Sequence, residues 1–439
     1  MTAGTGTALV VGLGRSGRAA AALLARRGWR VIAVDGAAQV APELEELGIE
    51  VRAPFGDAVP GVDLVVKSPG VPGEIPQVAS ARAAGAEVWS EIELAAREMP
   101  NPMIGITGTN GKTTTTELTA HLLRAAGMKA VACGNQGVAL AGLVDAVDPA
   151  AWLVVECSSF QLEDAHSFHP QAAVLLNITP DHLDRHGTME AYRAAKLRLF
   201  ANQVPGDLAI APAGMAIPGT APARSVAEGP RTGPEVVAWS QGGLHLDGVG
   251  LVAGWEEIPL RGRHNRQNAM AAAALAHHAG VGPEALRSGL TTFTGVAHRL
   301  ERVAEVDGVM YVNDSKATNP DAACAALDAY PEGVHLIVGG RGKGTSFAPL
   351  ADAARAGVVR AYLIGEAGPA AGADLAAAGV PVADCGTLEA AVREAASLAR
   401  PGEVVLLAPG CASFDQFANF EARGEAFRVA VRALAAGAR

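Results

Sequence analysis

The sequence predicts an α/β protein built from three domains, on three observations. Short apolar runs alternate with helical patterns from the N-terminus onward, the rhythm that gives parallel sheets. Two glycine-rich turns each follow such a run and open a helix: Gly12-Leu13-Gly14-Arg15-Ser16-Gly17, and Gly105-Ile106-Thr107-Gly108-Thr109-Asn110-Gly111-Lys112-Thr113. Beyond residue 297, a third strand–helix block ends its strands in clusters of Lys, Asp, Asn and Ser. The expected domains are a Rossmann-like unit at 1–93, a central P-loop ATPase-like parallel sheet with a small antiparallel insertion at 94–296, and a second Rossmann-like unit at 297–439.

Composition narrows the function. A chain of 439 residues can bury several cores, and 49% hydrophobic with 18% charged residues excludes a disordered protein. A formal charge of −10 without a dense Lys/Arg run argues against a nucleic-acid partner. The five cysteines are scattered without metal or redox spacing, which points to reduced thiols and a cytoplasmic setting. The N-terminus lacks the pattern of a signal peptide, and no run of about 18 apolar residues exists to enter a membrane.

In the first domain, Ala8–Val11 reads as a buried strand, Arg18–Arg27 as a helix, and a second strand from Trp29 to Val34 ends in Asp35. This is a GxGxxG fingerprint with its acidic partner, a turn that can receive NAD, another diphosphate, or simply a closely packed helix. The pattern continues through Leu64–Val66, the turn Lys67-Ser68-Pro69-Gly70, and Val88-Trp89.

The second turn carries more chemistry. Glycines let backbone N–H groups close on phosphate oxygens, the helix N-terminus adds favourable partial charge, and Lys112 supplies a cation. Thr113 directly follows that lysine, where a hydroxyl ligates the Mg²⁺ of a nucleotide. The glycine spacing departs from the standard P-loop, which would need glycine where Ile106 stands. Downstream, Trp152–Val155 ends in Glu156, a carboxylate able either to bind Mg²⁺ or to cap the next helix. Ala172–Ile178 runs into Thr179-Pro180-Asp181-His182-Leu183-Asp184-Arg185-His186, a metal-competent strand end or an exposed loop, and Lys196 follows on a helix whose default reading is a solvated surface. Short β-like pieces between Pro205 and Pro259 form the expected antiparallel insertion. At the start of an alanine-rich helix, Asn265 and Asn268 are spaced for one to cap and the other to face a ligand. In the last domain, strands at Val309–Val312, Val334–Val338, Val358–Ile364 and Val404–Leu407 end in polar clusters, where open α/β sheets bind ligands. No kinase catalytic loop, Gly-x-Ser-x-Gly elbow or Cys/His zinc cluster is found in the sequence.

GITGTNGKTT, ECSSFQL, NITPDHLDRH with YRAAK, HNRQNAMAA and HRLE, in this order, resemble the Mur ligase family. Within it, NDSKATN, GGRGKG and CASFDQFANFEARG are similar to the branch that adds D-glutamate to UDP-N-acetylmuramoyl-L-alanine. The resemblance implies ATP-dependent amide-bond formation through an acyl phosphate, with two Mg²⁺ ions, in peptidoglycan precursor synthesis by a monomeric enzyme. It implies that Gly108, Thr109, Asn110, Gly111, Lys112, Thr113 and Thr114 hold the triphosphate, and that Asn268, Arg299 and Asp314 contact the nucleotide. Glu156 would help bind the first metal, with Thr113 near it. His182 and Lys196 would serve a second, the lysine as a carbamate made with CO₂. Gly14, Arg15, Ser16, Gly17, Asp35, Ser68 and Asn135 would receive the UDP substrate rather than NAD. Lys316, Thr318, Lys343, Ser413 and Phe420 would line the acyl-phosphate and D-glutamate region, along with His182. One departure stands out: where Gram-negative members carry Thr-Arg after the aspartate, this chain has Gly36-Ala37, so the uracil end is held differently. Parts of one site spread over three domains imply closure on ligand, with a hinge expected near Val296.

Overall fold

The computed structural model of the protein describes residues 6–36, 42–52, 54–56, 58–342 and 344–437. The chain forms two compact units, residues 1–258 with 267–292, and residues 259–266 with 293–439.

The first unit contains two sheets. Strands β1 (Thr7–Val11), β2 (Arg30–Val34), β3 (Glu50–Arg52), β4 (Leu64–Lys67) and β5 (Glu87–Ser90) pair in the order β3-β2-β1-β4-β5. Every pairing is parallel. β1 and β4 are buried on both faces, which is why they read as continuous apolar runs rather than alternating ones. The helix Arg15–Arg26 starts three residues earlier than its apolar pattern suggests, because the glycine turn itself forms its first turn.

The second sheet is built on β6 (Met103–Thr107), β7 (Ala130–Gly134), β8 (Trp152–Glu156) and β9 (Ala172–Leu175), followed by β10 (Leu208–Ile210), β11 (Ala223–Glu228), β12 (Val236–Ser240), β13 (Gly243–Leu246) and β14 (Gly250–Gly254). Their order is β14-β13-β12-β11-β10-β9-β6-β8-β7. The antiparallel insertion expected from sequence is narrower than anticipated. β10, β11 and β12 extend the central sheet in parallel, and only the β12-β13-β14 meander is antiparallel. One continuous apolar core runs from Ala8 of β1 and Leu23 of the helix Arg15–Arg26 to Leu153 of β8 and to Leu140 and Phe200 in short helical turns. Charged contacts supplement it: Arg27 pairs with Asp145 and Glu98.

In the second unit, β15 (Glu301–Val306), β16 (Val309–Asn313), β17 (Val334–Gly339), β18 (Val358–Ile364), β19 (Val382–Gly386) and β20 (Val404–Leu407) form a sheet in the order β15-β16-β20-β17-β18-β19. β15 is antiparallel to β16, and the remaining pairings are parallel. Strand β20 lies between β16 and β17, although it comes last in the chain. All five cysteines are free. Among the described residues, no helix is long and apolar enough to cross a membrane.

Candidate active site

Two constellations occupy the first unit. The first surrounds the Gly12–Gly17 turn at the C-terminal ends of β1, β2 and β4. A side chain on Gly17 would collide with the Gly12 carbonyl oxygen, so this glycine is required for the helix to approach its strand. Around Gly14, by contrast, the added carbon meets nothing, and its backbone is open to a ligand. The Asp35 carboxylate accepts a hydrogen bond from the Leu13 N–H, and Ser68 Oγ donates to the Gly12 carbonyl at 2.7 Å. The pocket has a volume of about 350 Å³. Its walls include Gly14, Arg15, Ser16, Asp35 and Ser68 from the first sheet and Asn135 from the second, all expected from sequence. Arg15 reaches across to the Gly137 carbonyl at 3.1 Å. Ala37 lies outside the described residues, so the departure noted after Asp35 is visible only at Gly36.

The second constellation is the phosphate loop between β6 and the helix Lys112–Ala125. Gly111 precedes that helix with φ +88°, a conformation natural to glycine, and a side chain there would strike Asn268 Oδ1. The loop is clamped from the segment that follows β9: Asn177 Oδ1 accepts from the Asn110 N–H at 2.9 Å, and Asn177 Nδ2 donates to the Asn110 carbonyl at 3.0 Å. Thr109 Oγ1 lies 3.1 Å from the Tyr192 hydroxyl and accepts from the Thr179 N–H at 3.0 Å. Asn177, Thr179 and Tyr192 were not assigned from sequence. All three lie in the quoted segments NITPDHLDRH and YRAAK, but nothing local reveals their loop partners.

The chemistry-bearing groups converge. Lys112 Nζ donates to the carbonyls of Gly108 and Thr109 at 2.9 and 2.8 Å. Thr113 Oγ1 donates to Glu156 Oε2 at 2.6 Å, and Asn135 Nδ2 donates to Glu156 Oε1 at 2.9 Å. Glu156 is therefore the joint between the two constellations, and it is buried. Thr114 is buried in the first turn of the helix. Lys196, read from sequence as surface by default, is buried, and its amine donates to the Gly108 carbonyl at 2.8 Å. Burial and the neighbouring Lys112 cation hold this amine far below the usual lysine range, with Asp181 and Glu156 opposing. His182 is in left-handed backbone conformation at φ +53°, and its ring lies 3.5 Å from Asp181. Its ring also meets the edge of Phe160 at 5.0 Å. Thr113 and Glu156 supply a hydroxyl and a carboxylate side by side, oxygen donors suited to a hard cation. Among the described residues, no three His, Cys, Asp or Glu side chains cluster in a ready-made metal set.

In the second unit, Arg299 lies 3.5 Å from Asp314, whose Oδ1 accepts from the Leu300 N–H at 3.3 Å. Burial raises the Asp314 carboxyl above the ordinary range despite Arg299, and its Oδ2 has no hydrogen-bond partner among the described residues. The Lys316 ammonium lies 4.6 Å from the centre of the Phe420 ring. The Lys316 carbonyl accepts from the Thr318 N–H, and buried Ser413 begins the turn that follows β20. Lys343 lies outside the described residues. One residue missed from sequence organises these loops. Arg423, buried, donates to the Ser315 carbonyl at 2.8 Å and to the Cys411 carbonyl at 3.0 Å. Burial draws its guanidinium down to about 10.

A phosphate loop beside a second glycine-turn pocket, on parallel sheets, defines a nucleotide-dependent enzyme. Family models agree in register: the Mur ligase MurD-like N-terminal domain matches residues 6–90, the Mur ligase middle domain 106–276, and the Mur ligase glutamate ligase domain 298–411. The chain is 47% identical to the UDP-N-acetylmuramoylalanine–D-glutamate ligase of Anaeromyxobacter dehalogenans, covering 95% of this chain and 96% of that one. It is 43% identical to the ligases of that name from Solibacter usitatus and Myxococcus xanthus, over 97% of this chain and 98% of each. Among solved structures it is similar to a UDP-N-acetylmuramate-alanine ligase from Thermotoga maritima, with TM-score 0.61, 19% identity, and 98% and 99% of the two chains covered. A pseudomurein peptide ligase type C from Methanothermus fervidus follows with TM-score 0.56, 18% identity, and 98% and 100% covered. The chain belongs to the Mur ligase family.

Proposed function

We propose that this enzyme joins D-glutamate to the terminal carboxylate of UDP-N-acetylmuramoyl-L-alanine, with hydrolysis of ATP to ADP and phosphate, in peptidoglycan precursor synthesis. The observation that carries the reading is a phosphate loop linked through Glu156 to a second diphosphate-sized pocket, in a chain matching D-glutamate ligases along nearly its whole length. The proposed domains are 1–93 for the UDP substrate, 94–296 for ATP, and 297–439 for nucleotide and amino acid.

A carboxylate is a poor acyl donor, so it must first be activated. Its oxygen attacks the γ-phosphorus of ATP, the bond to the β-phosphate oxygen breaks, and ADP departs. The amine of D-glutamate then attacks the acyl carbon of the resulting acyl phosphate, phosphate leaves, and one proton is released. This chain's residues contribute by positioning and by neutralising charge. The N–H groups of Gly108–Thr114 and the helix N-terminus cradle the phosphates, with Lys112 as their cation. Thr113 and Glu156 would hold a Mg²⁺ ion, which when bound offsets phosphate charge. His182 would serve a second metal together with Lys196.

The depressed Lys196 supports its proposed modification. A neutral amine can attack CO₂, forming an N–C bond and losing a proton to give a carbamate anion. That converts an amine held against Lys112 into an oxygen donor. In the pocket of the first sheet, Gly14, Arg15, Ser16, Gly17, Asp35 and Ser68, with Asn135, receive the UDP substrate. Asn268, Arg299 and Asp314 contact the nucleotide. Lys316, Thr318, Lys343, Ser413 and Phe420 serve the acyl phosphate and D-glutamate, the latter with His182.

The test is phosphate release. ATP with UDP-N-acetylmuramoyl-L-alanine is expected to yield phosphate only when D-glutamate is added. Equal release with L-alanine or meso-diaminopimelate overturns the amino-acid assignment.

A further inference from the structure

The first unit contains a buried lysine that the ligation chemistry does not use. Lys67 ends β4, its side chain only 1% exposed, and its ammonium lies 3.1 Å from Asp164 and 3.4 Å from Glu163. The next residue, Ser68, lines the pocket of the first sheet and holds the Gly12 carbonyl. Glu163 ends the short helix Ser159–Glu163, and its other carboxylate oxygen lies 3.3 Å from His186 Nδ1. The far nitrogen of His186 is 2.9 Å from Ser159 Oγ. The His186 ring stacks on Phe160 at 5.1 Å, and the same Phe160 presses its edge on His182. A second connection runs parallel to the first. Arg185 lies over Phe160 at 4.7 Å and donates to the carbonyl of Val71, a pocket residue, at 2.6 Å.

We propose that Lys67, acting through Glu163 and His186, is a positioning residue that sets the 181–186 loop in register with the pocket of the first sheet. The proposal rests on the function argued above, and it deepens that reading by saying how the pocket is coupled to the reacting end of the substrate. The pocket grips one end of an extended sugar nucleotide, and the reacting carboxylate lies at the other. A loop fastened to the pocket's own turn keeps the distance between these ends fixed. Two carboxylates on one buried ammonium give this connection a single geometry, because the amine cannot leave them without exposing an unpaired charge. His186 then holds the aromatic ring against which His182 rests.

The experiment compares the wild-type enzyme with Lys67→Met, Glu163→Gln and the double variant, by steady-state kinetics and by hydrogen exchange of residues 181–187. Lys67→Met is expected to raise KM for UDP-N-acetylmuramoyl-L-alanine about 10-fold and to lower kcat, leaving KM for ATP and D-glutamate within about twofold. Glu163→Gln, at a partly exposed position that tolerates the change, is expected to shift the same KM about threefold. The double variant is expected to match Lys67→Met alone, because the two residues act in series. Exchange in 181–187 is expected to quicken in all three variants. A merely structural lysine would lower kcat through loss of folded enzyme and leave every KM in place. That outcome, multiplicative effects in the double variant, or unchanged exchange in a folded Glu163→Gln protein overturns the proposal. If Lys67→Met does not fold, Glu163→Gln alone decides. Absence of D-glutamate-dependent turnover in the wild-type enzyme would strike the function instead, and the exchange measurement would still judge the coupling.

Discussion

The first unit buries two lysines, and they are buried for opposite purposes. Lys67, at the end of β4, faces two carboxylates, so its charge is matched where it stands. Lys196, beside the phosphate loop, faces a carbonyl oxygen shared with the Lys112 ammonium. The first environment sets the amine against two carboxylates and uses the pairing as a fastener. The second holds its amine well below the usual lysine range, chiefly through burial and then through the Lys112 cation. Burial alone does not tell a structural lysine from a chemical one. Its neighbours add the rest: two carboxylates at Lys67, and at Lys196 the Lys112 cation opposed by Asp181 and Glu156.

This contrast can be broken most severely at the loop. Lys112→Ala is expected to lower kcat by about 10³-fold, as measured by phosphate release, since it removes the proposed phosphate cation. Lys196→Ala should cost about 10²-fold or more in kcat and regain part of it with formate or acetate, which can stand where the carbamate oxygens would be. No rescue at any concentration counts against the carbamate.

A stability comparison sharpens the pair. Lys67→Met leaves Asp164 and Glu163 without their ammonium and is expected to cost about 3 kcal/mol in denaturant unfolding. Lys196→Met removes an amine already disfavoured as a cation and should cost less than about 1 kcal/mol. Equal losses would mean that the two sites differ less than their surroundings indicate.

The last comparison concerns a third buried group, Glu91. Its Oε1 accepts from the Ala141 N–H, while its Oε2 has no partner among the described residues, and burial raises the carboxyl to about 7. Because the folded state favours the protonated acid, its contribution is complete below the ordinary carboxylate range and is lost as pH rises through about 7. Glu91→Gln should therefore unfold at a higher temperature than wild type at pH 8, and the advantage should shrink at pH 5. The gain amounts to about 1–3 kcal/mol. An identical difference at both pH values would exclude titration of Glu91 as the cause.

The sequence disclosed what local chemistry specifies. Glycines at fixed offsets, Lys112 followed by Thr113, and Glu156 at the end of an apolar strand are legible because each motif makes its own turn or terminus. β11, β15 and β19 were not legible. ARSVAE, ERVAEV and VADCG mix charged, small and β-branched residues without clean alternation, and only sheet pairing makes them strands. Lys196 was recoverable only through family resemblance, since a lysine on an amphipathic helix looks solvated by default. Lys67 left a faint trace, a lysine closing the apolar run Leu64–Val66. Its partner Asp164 lies far along the chain, and no periodicity links them. Arg423 stood within a quoted motif, but its four hydrogen bonds to Ser315, Cys411 and Ala412 appear only in three dimensions.

The late position of β20 has a consequence for how the protein is made. This strand pairs with β16 on one side and β17 on the other, yet it is translated after both. Until residues 404–407 leave the ribosome, β16 and β17 expose adjoining backbone edges with nothing to join them, and Arg423 must follow before the loops around Ser315 and Cys411 are fastened. The first unit is complete in sequence by residue 292, more than a hundred residues earlier. During synthesis, the first unit is therefore complete in sequence while the sheet of the second is still unclosed, and that interval is when unpaired strand edges are most exposed to aggregation and to chaperones.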